Sequence, residues 1–203
     1  MRRRTGSKAS RHQLPRQFVG AAGLAGVIAA AGCSGGNGTP AQPPWVQSLG
    51  SGVTVRIPTP TASGDTSPAS VAQAYVEAVN DGKLSTLCQL VEPAGQTACQ
   101  QALAGVPSTA GGTFSDFGLG YVAVKGDRAL VGLTATHCSP TEKPACSTNK
   151  DPAAIFSSGK SFEALYSGAT RALSPSNTRN TYSLVPCTRV GSAWYLYVPP
   201  ADF

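Results

Sequence analysis

In this 203-residue chain, the spacing of apolar residues changes from a helical period to a strand period near Phe117. After Ser67, the apolar residues Val71, Tyr75, Ala78 and Val79 recur on one helical face. From Phe117 onwards every second residue is apolar, which is the pattern of a half-buried strand. Helices that precede antiparallel hairpins indicate an α+β fold, with the helices packed on one face of a curved sheet.

Caps and breakers set the bounds of three predicted helices. Ser67 can cap the first helix, Pro68 suits its first position, and Asp81-Gly82 ends it. The second helix is predicted over residues 83–91, because the residue before Pro93 is pushed out of the helical region. A third is predicted over residues 96–104.

Turn residues place the predicted hairpins. Gly126-Asp127 is a two-residue turn between the alternating strands of the first hairpin. A polar loop is predicted over residues 138–160, then a helix over residues 161–172. The second hairpin turns at residues 190–192, and Pro186 predicts an edge or bulged strand because it cannot donate to a ladder.

The first 32 residues have the composition of a signal peptide. Residues 1–17 contain six Lys and Arg and no acid, and residues 18–32 form an uncharged apolar run that ends in small residues. A membrane-spanning helix is the alternative. It needs about 20 apolar residues, whereas this run has fifteen, several of them Gly or Ala.

Cys33 follows Ala30-Ala31-Gly32, and this segment resembles the bacterial lipobox, in which Leu usually occupies the place of Ala30. Processing there would leave Cys33 at the new N-terminus with acyl chains such as palmitate, on the extracytoplasmic face of the membrane. The alternative is ordinary cleavage after Ala29-Ala30-Ala31, which would release a soluble protein.

Residues 33–66 are predicted to be the lipidated cysteine and a flexible linker, and residues 67–203 the domain. The linker is rich in Gly, Pro, Ser and Thr, with one strand-like run at residues 53–57. Its only large aromatic residue is Trp45, for which we expect an idle linker position in preference to docking on the domain or the membrane.

Charge argues against a nucleic-acid partner. The full chain carries sixteen Lys and Arg and ten Asp and Glu, for a formal charge of +6. Six of the basic residues lie in the predicted signal peptide, so ten remain against ten acids and the mature protein is neutral. It has no basic run that could neutralise phosphates.

Five cysteines follow Cys33, and an exported protein lies where disulfides persist. We expect Cys88 to pair with Cys99, stapling two helices across the turn at Pro93. We expect Cys138 to pair with Cys146, closing the loop that leaves the first hairpin. Cys187 is then the free thiol, opposite the middle of the preceding hairpin strand.

Several segments resemble actinobacterial lipoproteins with an NTF2-like (cystatin-like) domain. The resemblance lies in Val71–Val91, in Val124–Val131, in the paired Cys138 and Cys146, and in Tyr182–Tyr197 with its Trp-Tyr-Leu. Abundant Ala, Gly and Pro with scarce Ile and Lys are typical of a GC-rich genome such as an actinobacterium's. The resemblance implies a cone-shaped sheet wrapped around the first helix, and it implies little about function.

Some NTF2-like enzymes set an acidic residue, a histidine or a tyrosine inside the cone. The residues that this resemblance makes weak pocket candidates are Asp116, Tyr121, His137 and Tyr182. The simpler interpretation makes Asp116 a solvated strand end, His137 a hairpin-end residue, and the tyrosines core residues with wet hydroxyls. No catalytic residue, metal or cofactor is predicted, and His137 is the only histidine after the signal peptide.

Two functions remain open from the sequence. The first is a non-enzymatic domain that binds a small apolar ligand or an envelope protein. The second is an isomerase- or hydratase-like enzyme with an acidic residue in the cone. A deep pocket with a carboxylate buried among apolar walls would favour the enzyme. A cone filled by Phe, Leu and Tyr side chains would favour the binding module.

Overall fold

The computed structural model describes residues 42–58, 66–108, 110–139, 146–173 and 183–199. The predicted signal peptide, Cys33 and Tyr182 lie outside these residues. The helices are the 3₁₀ helices Pro44–Leu49 and Pro93–Gly95 and the α-helices α1 (Pro68–Asn80), α2 (Leu84–Leu90), α3 (Gln96–Leu103), α4 (Pro152–Phe156) and α5 (Phe162–Leu173). The strands are β1 (Thr54–Arg56), β2 (Thr113–Lys125), β3 (Arg128–Cys138), β4 (Cys146–Asn149), β5 (Leu184–Val190) and β6 (Ala193–Leu196).

The described strands form one antiparallel sheet in the order β1-β2-β3-β5-β6, and β4 also pairs with β3. The first half of β3 pairs with β5, where Ala129 lies opposite Cys187. The last residues of β3 pair with β4, where Cys138 lies opposite Cys146. The α+β class is therefore confirmed, and β3 is the strand on which the sheet is organised.

Both faces of the sheet are covered by helices, so the prediction of helices on one face is wrong. Val131 and Leu133 of β3 pack in a core with α1, α2 and α3. Leu130, the residue before Val131, points to the other side of the strand and packs in a second core with the first 3₁₀ helix, α4 and α5. A strand that is apolar on both faces needs a layer on each side, because exposing either face would leave its apolar side chains in water.

Two glycines allow α4 to approach the second face closely. A β-carbon at Gly132 would lie 2.9 Å from the Phe156 ring, and one at Gly120 would overlap the Pro152 ring. The side chains of Phe156 and Phe162 are fully buried above this surface. Small residues in the sheet thus set the contact distance of the second layer.

The predicted helices α1 to α3 and α5 and both hairpins are confirmed, the first with its turn at Gly126-Asp127. The Ser67 hydroxyl accepts from the Ser70 amide at 3.3 Å and caps α1. The prediction of a polar loop over 138–160 is wrong for Cys146–Asn149 and Pro152–Phe156, which form β4 and α4. Asp151 caps α4 by accepting from the Ala153 amide at 2.9 Å, a signal that the Asp-Pro dipeptide carried.

Pro186 does not mark an edge strand. β5 has β3 on one side and β6 on the other, and Pro186 lies opposite Leu130. The Pro186 carbonyl accepts from the Tyr197 amide at 3.0 Å, just beyond the last residue of β6. The amide and carbonyl of a strand residue point to the same side, so the Pro186 nitrogen also faces β6. The N–H group that proline lacks would lie where the β5–β6 ladder ends.

The prediction of a flexible linker up to residue 66 is wrong for residues 42–58, which pack on the domain. Val55 of β1 lies opposite Ala123 of β2, and Leu49 is only 1% exposed. Trp45 stacks on Phe156 with ring centroids 5.6 Å apart, so it is not an idle linker residue. The free energy gained by burying Trp45 and Leu49 offsets the conformational entropy lost when this segment is ordered.

We therefore expect Leu49→Ala to destabilise the whole domain. Truncating a buried leucine costs about 2–4 kcal/mol through lost burial and the cavity left behind. Gln47→Ala is the matched control, because Gln47 is exposed on the same 3₁₀ helix. Urea unfolding of both variants checks the assignment, and equal midpoints for Leu49→Ala and Gln47→Ala would show that this helix is not part of the cooperative fold.

Candidate functional site

The structure does not bring the predicted pocket residues together. Asp116 is exposed on β2, in a left-handed conformation (φ 51°) where the β2–β3 register shifts at a bulge. Tyr121 packs in the second core, with its ring 5.2 Å from that of Trp45. His137 is buried on the opposite face of the sheet beside Phe114. Tyr182, the fourth candidate, lies outside the described residues.

His137 is held in place by the strands around it. Its ring lies 4.7 Å from that of Phe114, and its Nε2 is 3.0 Å from the Gly111 carbonyl oxygen. Gly112 has a φ of 71°, and a β-carbon there would overlap the Cys138 carbonyl. The close approach of residues 111 and 112 to the end of β3 therefore requires glycine, and this ring nitrogen of His137 has a structural partner.

The space between α1 and the sheet is filled with side chains. Tyr75 of α1 packs against Phe114 of β2 with ring centroids 6.1 Å apart. Val122, Val131 and Leu133 are fully buried beneath the helices. The interior that an NTF2-like cone would enclose is thus occupied by aromatic and aliphatic groups.

The carboxylates that the structure describes lie at or near the surface. Glu92 is half-buried, and this partial burial raises the pKa of its carboxyl. Glu163 is exposed, and hydrogen bonds from Lys125 and then Arg128 lower the pKa of its carboxyl. In the described ranges, the buried polar residues are His137, Ser139 and Thr170, and no carboxylate is among them.

Two clefts open on the surface near the end of β3. The larger has a volume of about 450 Å³ and lies between the C-terminal end of α1 and the strand ends. Its walls include Asn80, Gly112 and Ser139. The smaller, of about 210 Å³, lies where β4 and β5 diverge along β3, above Leu133 and Ala135. Both clefts have polar and apolar groups in their walls. Among the described residues that line them, the one carboxylate is that of Asp81, in the larger cleft.

The predicted disulfides are confirmed. Cys88 of α2 is bonded to Cys99 of α3, and Cys138 of β3 is bonded to Cys146 of β4. The cysteines of the two bonds are separated by 11 and 8 positions in the sequence. Cross-links that close loops of this size contribute on the order of 2–3 kcal/mol by restricting the unfolded chain.

Cys187 is the free cysteine of the described residues, and it is fully buried. It lies opposite Ala129, near the start of β3, so the prediction that placed it opposite the middle of that strand is wrong in register. Burial raises the pKa of its thiol. A protonated thiol in an apolar core behaves as a small apolar side chain.

Two polar contacts that sequence reasoning missed hold distant elements together. The Asn80 side chain accepts from the Phe114 amide at 2.7 Å and donates to the Phe114 carbonyl at 3.0 Å, so it imitates a neighbouring strand. Arg128 forms two hydrogen bonds with Glu163, at 2.6 and 2.9 Å, and lies over the Tyr166 ring. Exposed ion pairs of this kind contribute only about 0.2–1 kcal/mol. Neither contact has a local signal in the sequence, since the partners lie 34 and 35 residues apart.

Two further searches cover the described part of the chain. None of its helices is long and apolar enough to cross a membrane. Within the same ranges, no three His, Cys, Asp or Glu side chains gather into a group that could hold a metal ion.

Comparison with known proteins adds no relative: no family model, no curated protein and no solved structure matches this chain. The resemblance to NTF2-like lipoproteins therefore stays a prediction. The fold and the surface features described above carry the functional argument.

The buried thiol of Cys187 should make the free energy of unfolding depend on pH. The pKa of this thiol is raised in the folded protein, so its contribution to the free energy of unfolding is fully present below the unfolded pKa of a thiol, about 8.5. Above that pH the thiol ionises in the unfolded state, and the contribution is lost. One pH unit higher, at pH 9.5, the unfolded state gains about 1.4 kcal/mol from ionising this thiol. Cys187→Ala removes this ionisable thiol and the loss of stability that comes with it.

Urea unfolding of both proteins at pH 7.0 and 9.5 tests this expectation. The original protein should lose about 1.4 kcal/mol more than Cys187→Ala between the two pH values. Equal losses, or native-state alkylation of Cys187 by iodoacetamide, would mean that the thiol is accessible to solvent.

Proposed function

We propose that this chain is an exported lipoprotein, held on the extracytoplasmic face of the cell membrane through Cys33, with a non-enzymatic binding or interaction domain of NTF2-like type. The observation that carries the non-enzymatic part is the filled interior. Tyr75 and Phe114 occupy the space under α1, and the described carboxylates lie at or near the surface. An enzyme of the isomerase or hydratase kind would need an acidic group in an apolar pocket.

The enzymatic alternative has no support from Asp116, its acidic candidate. Asp116 is exposed at a bulge, and it shares no cleft with His137 or Tyr121 among the described linings. His137 is a buried core residue whose Nε2 lies 3.0 Å from the Gly111 carbonyl oxygen. General acid–base chemistry requires groups within reach of one bound substrate.

The NTF2-like part of the proposal is supported by the order of the elements. Three helices precede a long hairpin, and α1 packs across β2, β3 and β6 in one core. The bulges in β2 bend the strand that would curve around α1. The layer formed by α4, α5 and the first 3₁₀ helix is an addition on the other face.

Export is supported by the two disulfides, which form and persist outside the cytoplasm. The packed segment 42–58 shortens the connection to the anchor. Eight residues, 34–41, separate Cys33 from Gln42, the first described residue. Even fully extended, that connection spans at most about 30 Å. The domain would therefore stay close to the membrane surface.

The partner that suits this domain is a small apolar ligand or an envelope protein. The cleft beside α1, of about 450 Å³, has the volume of a small-molecule site. Its lining is mixed, with the Val79 side chain beside the polar groups of Asn80 and Ser139. The neutral charge of the mature chain favours a neutral partner over an anionic polymer.

The anchor is tested by Cys33→Ser, with Cys187→Ala as the matched control. Lipid attachment needs the Cys33 sulfur, so Cys33→Ser should lose acyl labelling and lipoprotein-type processing, whereas Cys187→Ala should keep both. Two acyl chains contribute about 0.8 kcal/mol per buried methylene, which holds the original protein in the membrane fraction. Mass spectrometry of the N-terminus and cell fractionation measure these outcomes. Original protein found mainly in the medium, with an unmodified N-terminus, would refute the lipoprotein proposal.

A further inference from the structure

We propose that the rim of the domain around Ile57 rests in the headgroup region of the membrane and fixes the orientation of the anchored protein. This anchor-side rim consists of Gln42, Arg56 and Ile57, and Trp45 follows three residues after Gln42. The proposal rests on lipid attachment at Cys33 and adds the face that the domain turns to the bilayer. The position, exposure and chemistry of these residues favour contact with a lipid surface.

Ile57 is an apolar side chain that the fold leaves in water. It is 72% exposed, and the other exposed large hydrophobic residue of the described ranges is Val190, at 46%. Ile57 follows directly after β1, an edge strand whose inward residue Val55 is buried. The strand therefore ends with one side chain in the core and the next apolar side chain outside it.

The rim lies where the chain continues towards Cys33. The Gln42 side chain donates a hydrogen bond to the Val55 carbonyl at 3.3 Å, so the first described residue lies beside β1. Val55 is two residues from Ile57. Since the connection to Cys33 spans at most about 30 Å, this edge cannot move far from an anchored lipid.

The composition of the rim suits a membrane interface. Arg56 is exposed next to Ile57, and a guanidinium is attracted to anionic headgroups and donates to phosphate oxygens. Trp45 is half-buried, with an indole ring packed edge-on to Tyr121. Tryptophan and tyrosine are enriched at the level of the headgroups, and interfacial arginine and lysine also act as anchors.

A single isoleucine is too weak to recruit a protein, but it acts after the lipid has brought the domain to the surface. Its contact with the bilayer is then intramolecular in effect and occurs at a high local concentration. A protein partner is the poorer fit, because a stable interface buries about 1,200 Å² or more and one exposed side chain does not supply an apolar centre of that size. The geometry thus points to lipid.

The test uses the lipidated full-length chain on vesicles of phosphatidylcholine with phosphatidylglycerol. An environment-sensitive fluorophore is attached through Ile57→Cys, and in a matched variant through Val190→Cys. Cys187 is buried, Cys33 is blocked by the lipid, and the other cysteines are in disulfides, so each variant carries one reactive thiol. Arg56→Gln in the first variant measures the contribution of charge.

The expected result is a blue shift at position 57 and loss of emission with spin-labelled lipid, neither of which occurs at position 190. Arg56→Gln should reduce the shift on vesicles that contain phosphatidylglycerol. A fluorophore at position 57 that stays as aqueous as the one at position 190, on protein that mass spectrometry shows to be acylated, would overturn the rim proposal alone. Protein that carries no acyl chain and stays off the vesicles would overturn the anchor and the rim together.

Discussion

The burial of β3 on both faces is the constraint on which the rest of the structure depends. Leu130 and Val131, neighbours on this strand, are both fully buried on opposite sides of the sheet. Each side needs its own apolar layer, because a sheet face left in water would lose the burial that drives folding. Helices α1 to α3 provide one layer, and α4, α5 and the first 3₁₀ helix provide the other. The segment 42–58 thus packs on the domain because it covers apolar side chains on the second face of the sheet.

The two disulfides act at points where this arrangement is weakest. Helices α2 and α3 have seven and eight residues, lengths at which a helix is marginal without tertiary support. Cys88–Cys99 joins them to each other. The strand β4 has four residues, of which three are exposed, and Cys138–Cys146 ties it to β3. Disulfides of this kind form and persist in oxidising environments and are rare in the cytoplasm.

Local signals predicted much of the fold because they depend on neighbouring residues alone. The cap at Ser67, the turn at Gly126-Asp127 and the alternation of β2 and β3 were sufficient to place α1 and the first hairpin. Pro186 and residues 53–57 show where such signals fail. A proline or a short strand-like run does not reveal which strand lies beside it, and here that neighbour decided between edge and interior, and between linker and sheet. The positions of Asp116 and Tyr121 could not be predicted for the same reason, because a bulge in β2 and the face of the sheet set where each side chain lies.

The short connection between Cys33 and the domain depends on the segment after residue 41 being part of the sheet. Native-state hydrogen exchange followed by mass spectrometry tests that point most directly. The backbone amides of β1 that pair with β2 should be protected, together with those of β3, at free energies well above local fraying. Exchange of residues 54–56 at the rate of an unstructured chain, while β3 stays protected, would contradict this expectation.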